Sequence, residues 1–385
     1  MKIVHIAPMR SDVASGVSIY VLELIKALVN VPDCDVCLLS VLPANIFDEK
    51  NVPPGCLFVQ GPLSYHKNPW FIDSKWLDKI EKQFGCPDIV HFHDVYSPFE
   101  SALARQCFKR GWKYVVSVHG GLQDASQSRK IVKKIIGNIL FFNSFICSAK
   151  SVHVLNEAEE RSVKKRYPSV KTFIVSNSVS AEILSISESL RSHSFSVDNY
   201  ETVKIGFIGR IDVEHKGVDL LLKAVRLLEI YYPEIKLQFF IVGPFHTKKD
   251  EKICRNLLSL LKDSSRVVFT GFLKGEEKWK MLSRFDVFIH TSRHEGMPGS
   301  VIEAMAFAKP CLVTPGTNMQ KIIAEHKAGW CCEANPESIA RKIYYVSRSR
   351  EEIIKRGMNA REYVVQHLTR DKAVEEYVRC MKAIL

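Results

Sequence analysis

Two glutamates with seven residues between them, Glu295 and Glu303, are the residues of this sequence best suited to chemistry. A short apolar run at 287–289 predicts a buried parallel strand, and a helix beginning at Ser300 would carry Glu303 in its first turn. An ionised carboxylate accepts two hydroxyl hydrogen bonds, which suits neutral polyols. The backbone N–H groups of Gly299 and Ser300, at a helix N-terminus, suit a phosphate. The spacing therefore predicts a site for a sugar joined to phosphates, beyond the carboxyl ends of an open α/β sheet.

The pattern Ser300-x-x-Glu303 has a second interpretation. It is also a capping box, in which the serine caps the helix and the glutamate bonds back to the serine backbone. That alternative would explain Glu303 by helix chemistry alone.

Earlier in the chain, the apolar run 203–208 predicts another buried strand. Two cations, Arg210 and Lys216, follow it. One cation at the carboxyl end of a strand and one beside the N-terminus of the helix 218–228 would form a clamp for a pyrophosphate, since arginine can bind two oxygens at once. Glycines stand at the strand end 209 and at two later strand ends. We expect a uracil or similar base to lie near Gly243 and residues 271–273, so the glycines predicted to line the nucleotide are Gly209, Gly243 and Gly271.

The stretch 285–310 resembles the E-x7-E motif of the large retaining glycosyltransferase family of GT-B fold that is usually numbered four, also called glycosyl transferases group 1. Both glutamates, the Glu-Gly pair, the Glu-Ala-Met-Ala run at 303–306 and the Lys-Pro pair at 309–310 match it. The resemblance implies that Glu295 contacts hydroxyls of the donor sugar and Glu303 the ribose hydroxyls. It further implies that Arg210 and Lys216 bind the donor phosphates. The bacterial polysaccharide-biosynthesis type is the implied setting.

The resemblance covers nearly the whole chain, strongly from 203 to 315 and loosely before it. The family has a histidine near the donor sugar, at the end of a strand. His119, which is followed by two glycines, matches that position in this chain. The turn that carries Gly16 is commonly a double glycine in the family, but here the first position is Ser15. A plain strand-to-helix turn explains Gly16 nearly as well. Two segments depart from the family pattern. The family usually has Asn-Gly where this chain has Asn177-Ser178, and it often has a Gly-Gly and an acid where this chain has Gly-Thr-Asn-Met at 316–319.

Three further patterns, formed by histidines, aspartates and cysteines, are of the types that occur in metal or acceptor sites. His91 and His93 lie in one strand pattern and are interpreted as structural or acceptor-side residues. The pattern 33–35 looks like a metal-binding aspartate pair but falls in a loop after Pro32, and the Cys-x-x-Cys pattern at 34–37 has no second pair at metal spacing. These patterns predict no metal site and no cofactor. The expected donor substrate is a nucleoside diphosphate sugar, most simply a UDP-sugar.

The composition and net charge of the chain limit the class of protein and the kinds of partner to expect. The chain has 385 residues, 46% hydrophobic content and a net charge of +12, which indicate a soluble two-domain protein with an anionic partner. Basic residues are spread over both halves and no nucleic-acid motif stands out, so nucleic acid is not expected. No run reaches the roughly 18 apolar residues of a membrane span, and the N-terminus lacks a signal-peptide pattern. We expect a cytoplasmic protein with reduced cysteines.

An amphipathic helix is predicted at 126–142, with four basic residues on one flank and isoleucines on the other. Such a helix can lie on an anionic membrane surface. Equally, it can be a surface helix whose apolar flank enters the core, because periodicity cannot distinguish core from bilayer. Peripheral attachment to the inner face of the cytoplasmic membrane depends on the first alternative.

The predicted fold is GT-B, two Rossmann-like doubly wound α/β domains facing a cleft. The predicted limits are 1–180 for an acceptor-binding domain, 181–202 for a linker, 203–368 for a nucleotide-sugar-binding domain and 369–385 for a helix crossing back to the first domain. The predicted reaction transfers a hexose to a hydroxyl of a glycan or lipid-linked oligosaccharide, with the retention that the resemblance implies. Two alternatives stay open: a GT-B sugar-nucleotide epimerase, and a non-catalytic membrane-associated assembly protein.

Overall fold

The computed structural model describes residues 1–11, 15–42, 46–61, 75–123, 135–193 and 202–385. The strands are β1 (Lys2–Ala7), β2 (Asp35–Ser40), β3 (Cys56–Gln60), β4 (Ile89–Phe92), β5 (Tyr114–Ser117), β6 (Ser151–Val154), β7 (Thr172–Ile174), β8 (Val203–Ile208), β9 (Leu237–Val242), β10 (Val267–Gly271), β11 (Val287–His290), β12 (Cys311–Val313) and β13 (Gly329–Cys331).

The helices follow the same order along the chain. They are α1 (Gly16–Leu28), α2 (Lys75–Phe84), α3 (Pro98–Lys109), a π-helix (Asn138–Phe142), α4 (Asn143–Cys147), α5 (Glu157–Arg166), α6 (Ala181–His193), α7 (Val213–Lys216), α8 (Val218–Tyr231), α9 (Lys248–Leu258), α10 (Gly275–Ser283), α11 (Gly299–Ala306), α12 (Gln320–Glu325), α13 (Pro336–Ser347), α14 (Arg350–His367) and α15 (Arg370–Ile384). Among the described residues, no helix combines the length and the apolar character needed to span a bilayer.

The chain forms two compact units, each around its own parallel sheet. Unit 1 comprises Met1–Ser176 with Asp371–Leu385, and unit 2 comprises Asn177–Arg370. The strand order is β3-β2-β1-β4-β5-β6-β7 in unit 1 and β10-β9-β8-β11-β12-β13 in unit 2. All these pairings are parallel, as expected for strands that are joined by helices and buried on both faces.

The strand order reverses once in each sheet. The reversal lies between β1 and β4 in unit 1 and between β8 and β11 in unit 2. At such a point the loops leaving two adjacent strands run in opposite directions and open a crevice beyond the carboxyl ends, where open α/β sheets bind ligands. The loops after these four strands are therefore the places where the fold would position a functional site.

The division between the units differs in detail from the predicted domain limits. Residues 181–193, predicted as part of a linker, form α6, which packs on α10 and α11 inside unit 2. The sequence did not predict this helix because the segment is rich in serine and its apolar periodicity is weak. Its stability comes from tertiary packing. The last helix contributes Val374, Tyr377 and Met381 to the core of unit 1, where the sequence had placed it.

Candidate active site

The two loops at the reversal of the unit 2 sheet carry most of the predicted site. Arg210 follows β8, with Lys216 at the end of the short helix α7. Glu295 lies in the loop after β11, ahead of α11. Because β8 and β11 are hydrogen-bonded neighbours, residues far apart in sequence meet at one edge of the sheet.

Glu295 is the centre of a charged cluster. The Lys216 ammonium contacts its Oε1 directly, and the Ser292 hydroxyl donates to the same oxygen at 3.0 Å. His290 Nε2 lies 3.4 Å from Oε1, and His215 Nε2 lies 3.7 Å from Oε2. The sequence predicted Lys216 as a phosphate ligand, and the structure adds that it is also the counterion of Glu295.

Opposing effects act on the ionisation of Glu295. Burial alone would raise the pKa of this carboxyl, but Lys216, with further contributions from His290 and His215, holds the pKa well below its ordinary value. Burial lowers the pKa of His290, which is stacked on Phe207 with ring centroids 5.3 Å apart. Glu295 is therefore a carboxylate at any physiological pH, held by a lysine and flanked by a neutral imidazole.

The two cations of the predicted phosphate clamp, Arg210 and Lys216, both act electrostatically on His215. Burial lowers the pKa of this histidine; the negative charges of Glu295 and Asp212 raise it, while the positive charges of Lys216 and Arg210 lower it. Arg210 lies 3.6 Å from the Asp212 carboxylate, and its Nε is buried without a hydrogen-bond partner in the described part of the chain. Lys216 thus contacts Glu295 directly, and Arg210 is linked to the same cluster through Asp212, whose Oδ1 accepts from the His215 N–H at 3.0 Å.

The loop that carries Glu295 is braced from three sides. Arg293 places two nitrogens on Asp219 at 2.8 and 2.9 Å and donates to the Val213 carbonyl at 2.6 Å. Asn318 Nδ2 donates to the Glu295 carbonyl at 2.7 Å, and Asn177 Nδ2 donates to the Met297 carbonyl at 2.6 Å. These amides stand in the two segments where the sequence departs from the family pattern.

Two glycines allow this loop to pack closely. A Cβ on Gly217, whose φ is +64°, would lie 2.2 Å from the Thr291 carbonyl oxygen. A Cβ on Gly316 would lie 2.3 Å from the Arg293 carbonyl. Only glycine permits both approaches, so these two positions determine how closely the loop packs.

Glu303 has a different cation as partner. Its Oε2 lies 2.6 Å from Nζ of Lys278 on α10, and that ammonium also lies 4.4 Å from the centre of the Trp279 ring. The capping-box interpretation of Glu303 is wrong, because α11 begins at Gly299 with Pro298 as N-cap and no side-chain cap bond. Ser300 is the second residue of that helix, so the first turn is left without a side-chain cap.

Three of the predicted nucleotide glycines, those at 209, 243 and 271, lie at strand ends, whereas Gly299 and Gly16 begin α11 and α1. Gly243 has φ +143°, and a Cβ there would lie 1.9 Å from the Gly209 carbonyl oxygen. Its N–H donates to the Gly271 carbonyl at 2.8 Å, and the Gly209 N–H donates to the Val242 carbonyl at 2.9 Å, so the two bonds tie the ends of β8, β9 and β10 together. An added Cβ on Gly271, Gly299 or Gly16 would meet no heavy atom within 4 Å and would face open space.

His119 lies in unit 1, in the turn after β5. Its backbone has φ +42°, unusual for a residue with a side chain. Burial lowers its pKa to about 3. Its ring meets Tyr20 edge-on at 5.1 Å, and its Nε2 lies 3.5 Å from Nδ1 of His93. Ser15, in place of the first glycine of the family turn, is the N-cap of α1 and accepts from the Ser18 N–H at 3.3 Å.

His91 and His93 belong to a buried histidine network. His153 Nε2 lies 2.9 Å from the Val175 carbonyl, which can only accept, so His153 Nδ1 must accept from the Ser117 hydroxyl at 2.6 Å. Ser117 in turn accepts from His91 Nε2 at 2.7 Å, and His91 Nδ1 accepts from the Tyr377 hydroxyl at 2.7 Å. The Val175 carbonyl thus determines the donor of every later bond in this chain. The imidazoles of His91 and His153 are neutral, because burial lowers their pKa values.

Three histidines of this cluster could come close to a metal ion. In the described part of the chain, one nitrogen each from His5, His91 and His93 lie within 4.8 Å of one another. Both nitrogens of His91 already form hydrogen bonds, however, and His5 Nδ1 bonds His93 Nε2 at 2.9 Å. A metal would have to displace these bonds, so the donor set fits a structural network better than a metal centre.

Sequence reasoning missed several residues of the site. Lys278, His290 and Asn318 each contact a predicted glutamate or its loop, but each is a single polar residue without a motif. Periodicity shows no signal for such residues, since their role arises only when separate loops meet. Of the aspartates at 33 and 35, Asp33 lies in the predicted turn, with φ +57°, whereas Asp35 is already the first residue of β2. All eleven cysteines are free thiols.

Comparison with known proteins gives two family matches. The model of glycosyltransferase family 4 matches residues 14–183, and the model of glycosyl transferases group 1 matches residues 191–363. The O-antigen biosynthesis glycosyltransferase WclY of Escherichia coli is 22% identical over 316 residues, covering 82% of this chain and 80% of the relative.

Solved structures share the fold over the whole chain. Sucrose-phosphate synthase of Thermosynechococcus elongatus has a TM-score of 0.79 and 16% identity, with coverage of 100% of this chain and 99% of the other. HepE of Anabaena, in complex with UDP-glucose, has a TM-score of 0.73 and 16% identity, with 100% of both chains covered. Together with the two parallel sheets, these matches identify the chain as a glycosyltransferase with the GT-B fold.

Proposed function

We propose that this glycosyltransferase transfers a hexose from a nucleoside diphosphate sugar to a hydroxyl of a glycan or lipid-linked oligosaccharide, with retention, in cell-surface polysaccharide biosynthesis. The observation that carries the proposal is the convergence of Glu295, Lys216 and Arg210 at the reversal point of the unit 2 sheet. HepE, bound to UDP-glucose, supports the donor class, and the name of WclY supports the polysaccharide setting.

The charges of the site suit the departure of a nucleoside diphosphate. Negative charge builds up on the β-phosphate as the bond to the sugar breaks, and Arg210, Lys216 and the uncapped first turn of α11 would stabilise that charge. Glu295 and His119 are the proposed sugar contacts, and Glu303 is the proposed ribose contact. The leaving phosphate itself can take the acceptor proton, so the proposal assigns no residue as a dedicated base.

The Lys216–Glu295 ion pair gives this proposal a specific consequence. The ammonium bonds one oxygen of the carboxylate, so a donor phosphate would share a lysine whose position Glu295 already fixes. Sugar hydroxyls and phosphate would then be held by the two members of one ion pair. Removing either member should therefore affect both donor contacts.

Three measurements test the proposal in sequence. Thermal-shift measurements against UDP-, GDP- and ADP-sugars should single out one base, because a bound ligand raises the unfolding temperature. Release of the nucleoside diphosphate in the presence of a glycan acceptor should then be lost in Glu295→Ala and Arg210→Ala. NMR of the product should show the donor anomer. Conversion of the donor without any glycan would favour the epimerase alternative, and turnover within about threefold of the parent protein in both variants would refute the site.

The same proposal includes attachment to an anionic membrane surface through the segment 126–142. Residues 124–134, with the basic residues of that segment, lie outside the described part of the chain. In the described part, four apolar side chains are exposed by 50 to 71% rather than packed in the core: Ile135, Ile136, Ile139 and Leu140. Phe108 of α3, which packs beside this segment, is 66% exposed. For these residues the core alternative is wrong, and an anionic bilayer fits their apolar character with the nearby Arg105 and Lys109.

Vesicle binding tests this part separately from catalysis. The protein should sediment with vesicles containing anionic lipid and less with neutral vesicles, and Ile139→Asp with Leu140→Asp should abolish the difference. Ile354→Asp is the matched control, since Ile354 is an exposed apolar residue of α14 in the other unit. Equal binding of both variants to anionic vesicles would rule out this surface.

A further inference from the structure

Glu159, on the first turn of α5, is a fully buried carboxylate in unit 1. One of its oxygens accepts from the backbone N–H of Gly120, and the other accepts from the N–H of Leu155 at 2.7 Å. Gly120 follows β5 and Leu155 follows β6, which are neighbouring strands. A single side chain therefore ties together two loops at the carboxyl edge of the sheet.

The first of these loops holds His119 in a strained backbone conformation. His119 has φ +42° and Gly120 has φ +80°, and the Gly121 N–H closes the turn on the Val118 carbonyl at 2.7 Å. A residue with a side chain keeps a positive φ only where its surroundings hold it there. The bond from Gly120 to Glu159 is made directly after the strained residue.

We propose that Glu159 is a positioning residue that keeps the His119 turn in its functional conformation through its ionised carboxylate, and that the turn loosens when this carboxylate takes up a proton. The inference rests on the proposed function in one respect, because the assignment of His119 to the donor sugar comes from there. The geometry of the turn itself does not depend on that assignment.

The chemistry of the two forms explains the effect. An ionised carboxylate offers two oxygens that accept from two N–H groups, whereas a protonated carboxyl turns one oxygen into a donor. The hydroxyl oxygen accepts more weakly than a carboxylate oxygen, and its O–H requires an acceptor of its own, so the bond to the N–H of Gly120 or Leu155 weakens. Burial raises the pKa of Glu159 to about 7, against the two backbone N–H groups, which lower it. The exchange between the two forms thus falls near neutral pH.

The phenol and imidazole groups around this turn are uncharged near pH 7. Burial raises the pKa of Tyr20 on α1 and lowers those of His119 and of His153 on β6. Burial also lowers the pKa of His93, which faces His119. On α5 itself, Glu160 accepts from the Thr172 hydroxyl at 2.5 Å and Arg166 donates to the Leu122 carbonyl at 3.3 Å. Of Tyr20, His93, His119, His153 and Glu159, only Glu159 changes charge between pH 6 and 8.

Activity and stability should respond to pH in opposite directions. The ionised form dominates above pH 7, so kcat/KM for the donor should fall about tenfold for each pH unit below 7. The folded-state pKa is raised above the ordinary 4.5, so the folded state binds this proton more tightly than the unfolded chain does. Its contribution to stability therefore increases as the pH falls from about 7 toward 4.5. A merely structural role would not separate the two responses.

The test compares Glu159→Gln with Glu229→Gln in the full chain. Glu229 in unit 2 is built in the same way, with its carboxylate accepting from the N–H groups of Lys262 and Asp263 at 2.9 and 3.0 Å, but it holds a loop at the amino end of β10. Turnover of UDP-glucose, or of the sugar nucleotide that binds in the thermal-shift panel, would be followed from pH 5.5 to 8.5. The amide signal of Gly120, in glycine-labelled protein, would be followed by NMR over the same range.

We expect the parent protein and Glu229→Gln to lose activity below pH 7, while Glu159→Gln shows a low, flat profile near the acid-limb value. The Gly120 amide should shift with a midpoint near pH 7 in the parent protein and not in Glu159→Gln. An unchanged acid limb in Glu159→Gln, or a Gly120 signal that does not titrate near pH 7, would overturn the inference. Absence of turnover with every sugar nucleotide would instead refute the proposed function, while the NMR titration still decides whether Glu159 holds the turn.

Discussion

The two units place buried polar residues at the same point of similar sheets but use them in different ways. In unit 1 the strands at the reversal, β1 and β4, carry histidines that bond one another and Tyr377 and are neutral. In unit 2 the loops after β8 and β11 carry an ion pair, Lys216 with Glu295, and a nearby arginine.

The difference teaches what each arrangement can do. In the directed chain from His153 through Ser117 and His91 to Tyr377, each donor and acceptor is satisfied, so the chain holds strands and the last helix together without attracting an anion. A lysine paired with one carboxylate keeps its charge and can share it with a phosphate. We therefore expect changes in the unit 2 cluster to affect turnover first, and changes in the unit 1 network to affect stability first.

The largest expected effect is that of Lys216→Met. Loss of this cation removes a group that stabilises the leaving phosphate, and it leaves Glu295 buried without its counterion. Donor turnover should fall by about 10² to 10³. Lys249→Met, at a lysine whose side chain is 78% exposed, is the control and should keep full activity. Equal activity of the two variants would remove Lys216 from the site.

Arg293→Lys tests whether the Glu295 loop depends on its brace. A lysine cannot reproduce the two bonds to Asp219 together with the bond to the Val213 carbonyl. The free energy of unfolding should decrease by about 2 kcal/mol, measured by guanidinium denaturation. Arg255→Lys, which changes an exposed pair on α9, should cost nothing measurable. A cost no larger in Arg293→Lys would mean that the other contacts suffice.

Tyr377→Phe tests the assignment of the unit 1 network to structure. The change leaves the acceptor nitrogen of His91 buried without a donor, which should cost about 1 to 2 kcal/mol. Turnover at saturating donor should remain that of the parent protein. Tyr345→Phe removes a hydroxyl from an exposed tyrosine and serves as the comparison. A loss of turnover without a loss of stability in Tyr377→Phe would reverse the contrast between the units.

The smallest expected effect is that of Lys278→Met. The Lys278–Glu303 pair is about one fifth exposed, and such pairs contribute up to about 1 kcal/mol. KM for the donor should rise by about fivefold or less with kcat unchanged, because the ribose contact acts on ground state and transition state alike. A fall in kcat at constant KM would show that Lys278 acts on the reacting groups instead.

The sequence determined the class of fold and the ends of its central strands. The apolar run 203–208 became β8 with the predicted limits, because a strand that is buried on both faces has an apolar composition that the sequence itself shows. Likewise, Glu295 and the two cations stood out because their type and their place after a strand are local features. The helix α6 was hidden, since its stability comes from packing on α10 and α11 rather than from a regular pattern.

Only the tertiary structure decided which residues complete the sites. Lys278 meets Glu303, Asn318 braces Glu295, and Glu159 reaches Gly120 across gaps in sequence that no local pattern connects. It also decided that Ser300 does not cap its helix and that the isoleucines near 135–139 are exposed. The physical reason is the same in each case: hydrogen bonding and burial depend on what lies opposite a side chain, and that is settled only when separate loops and helices pack together.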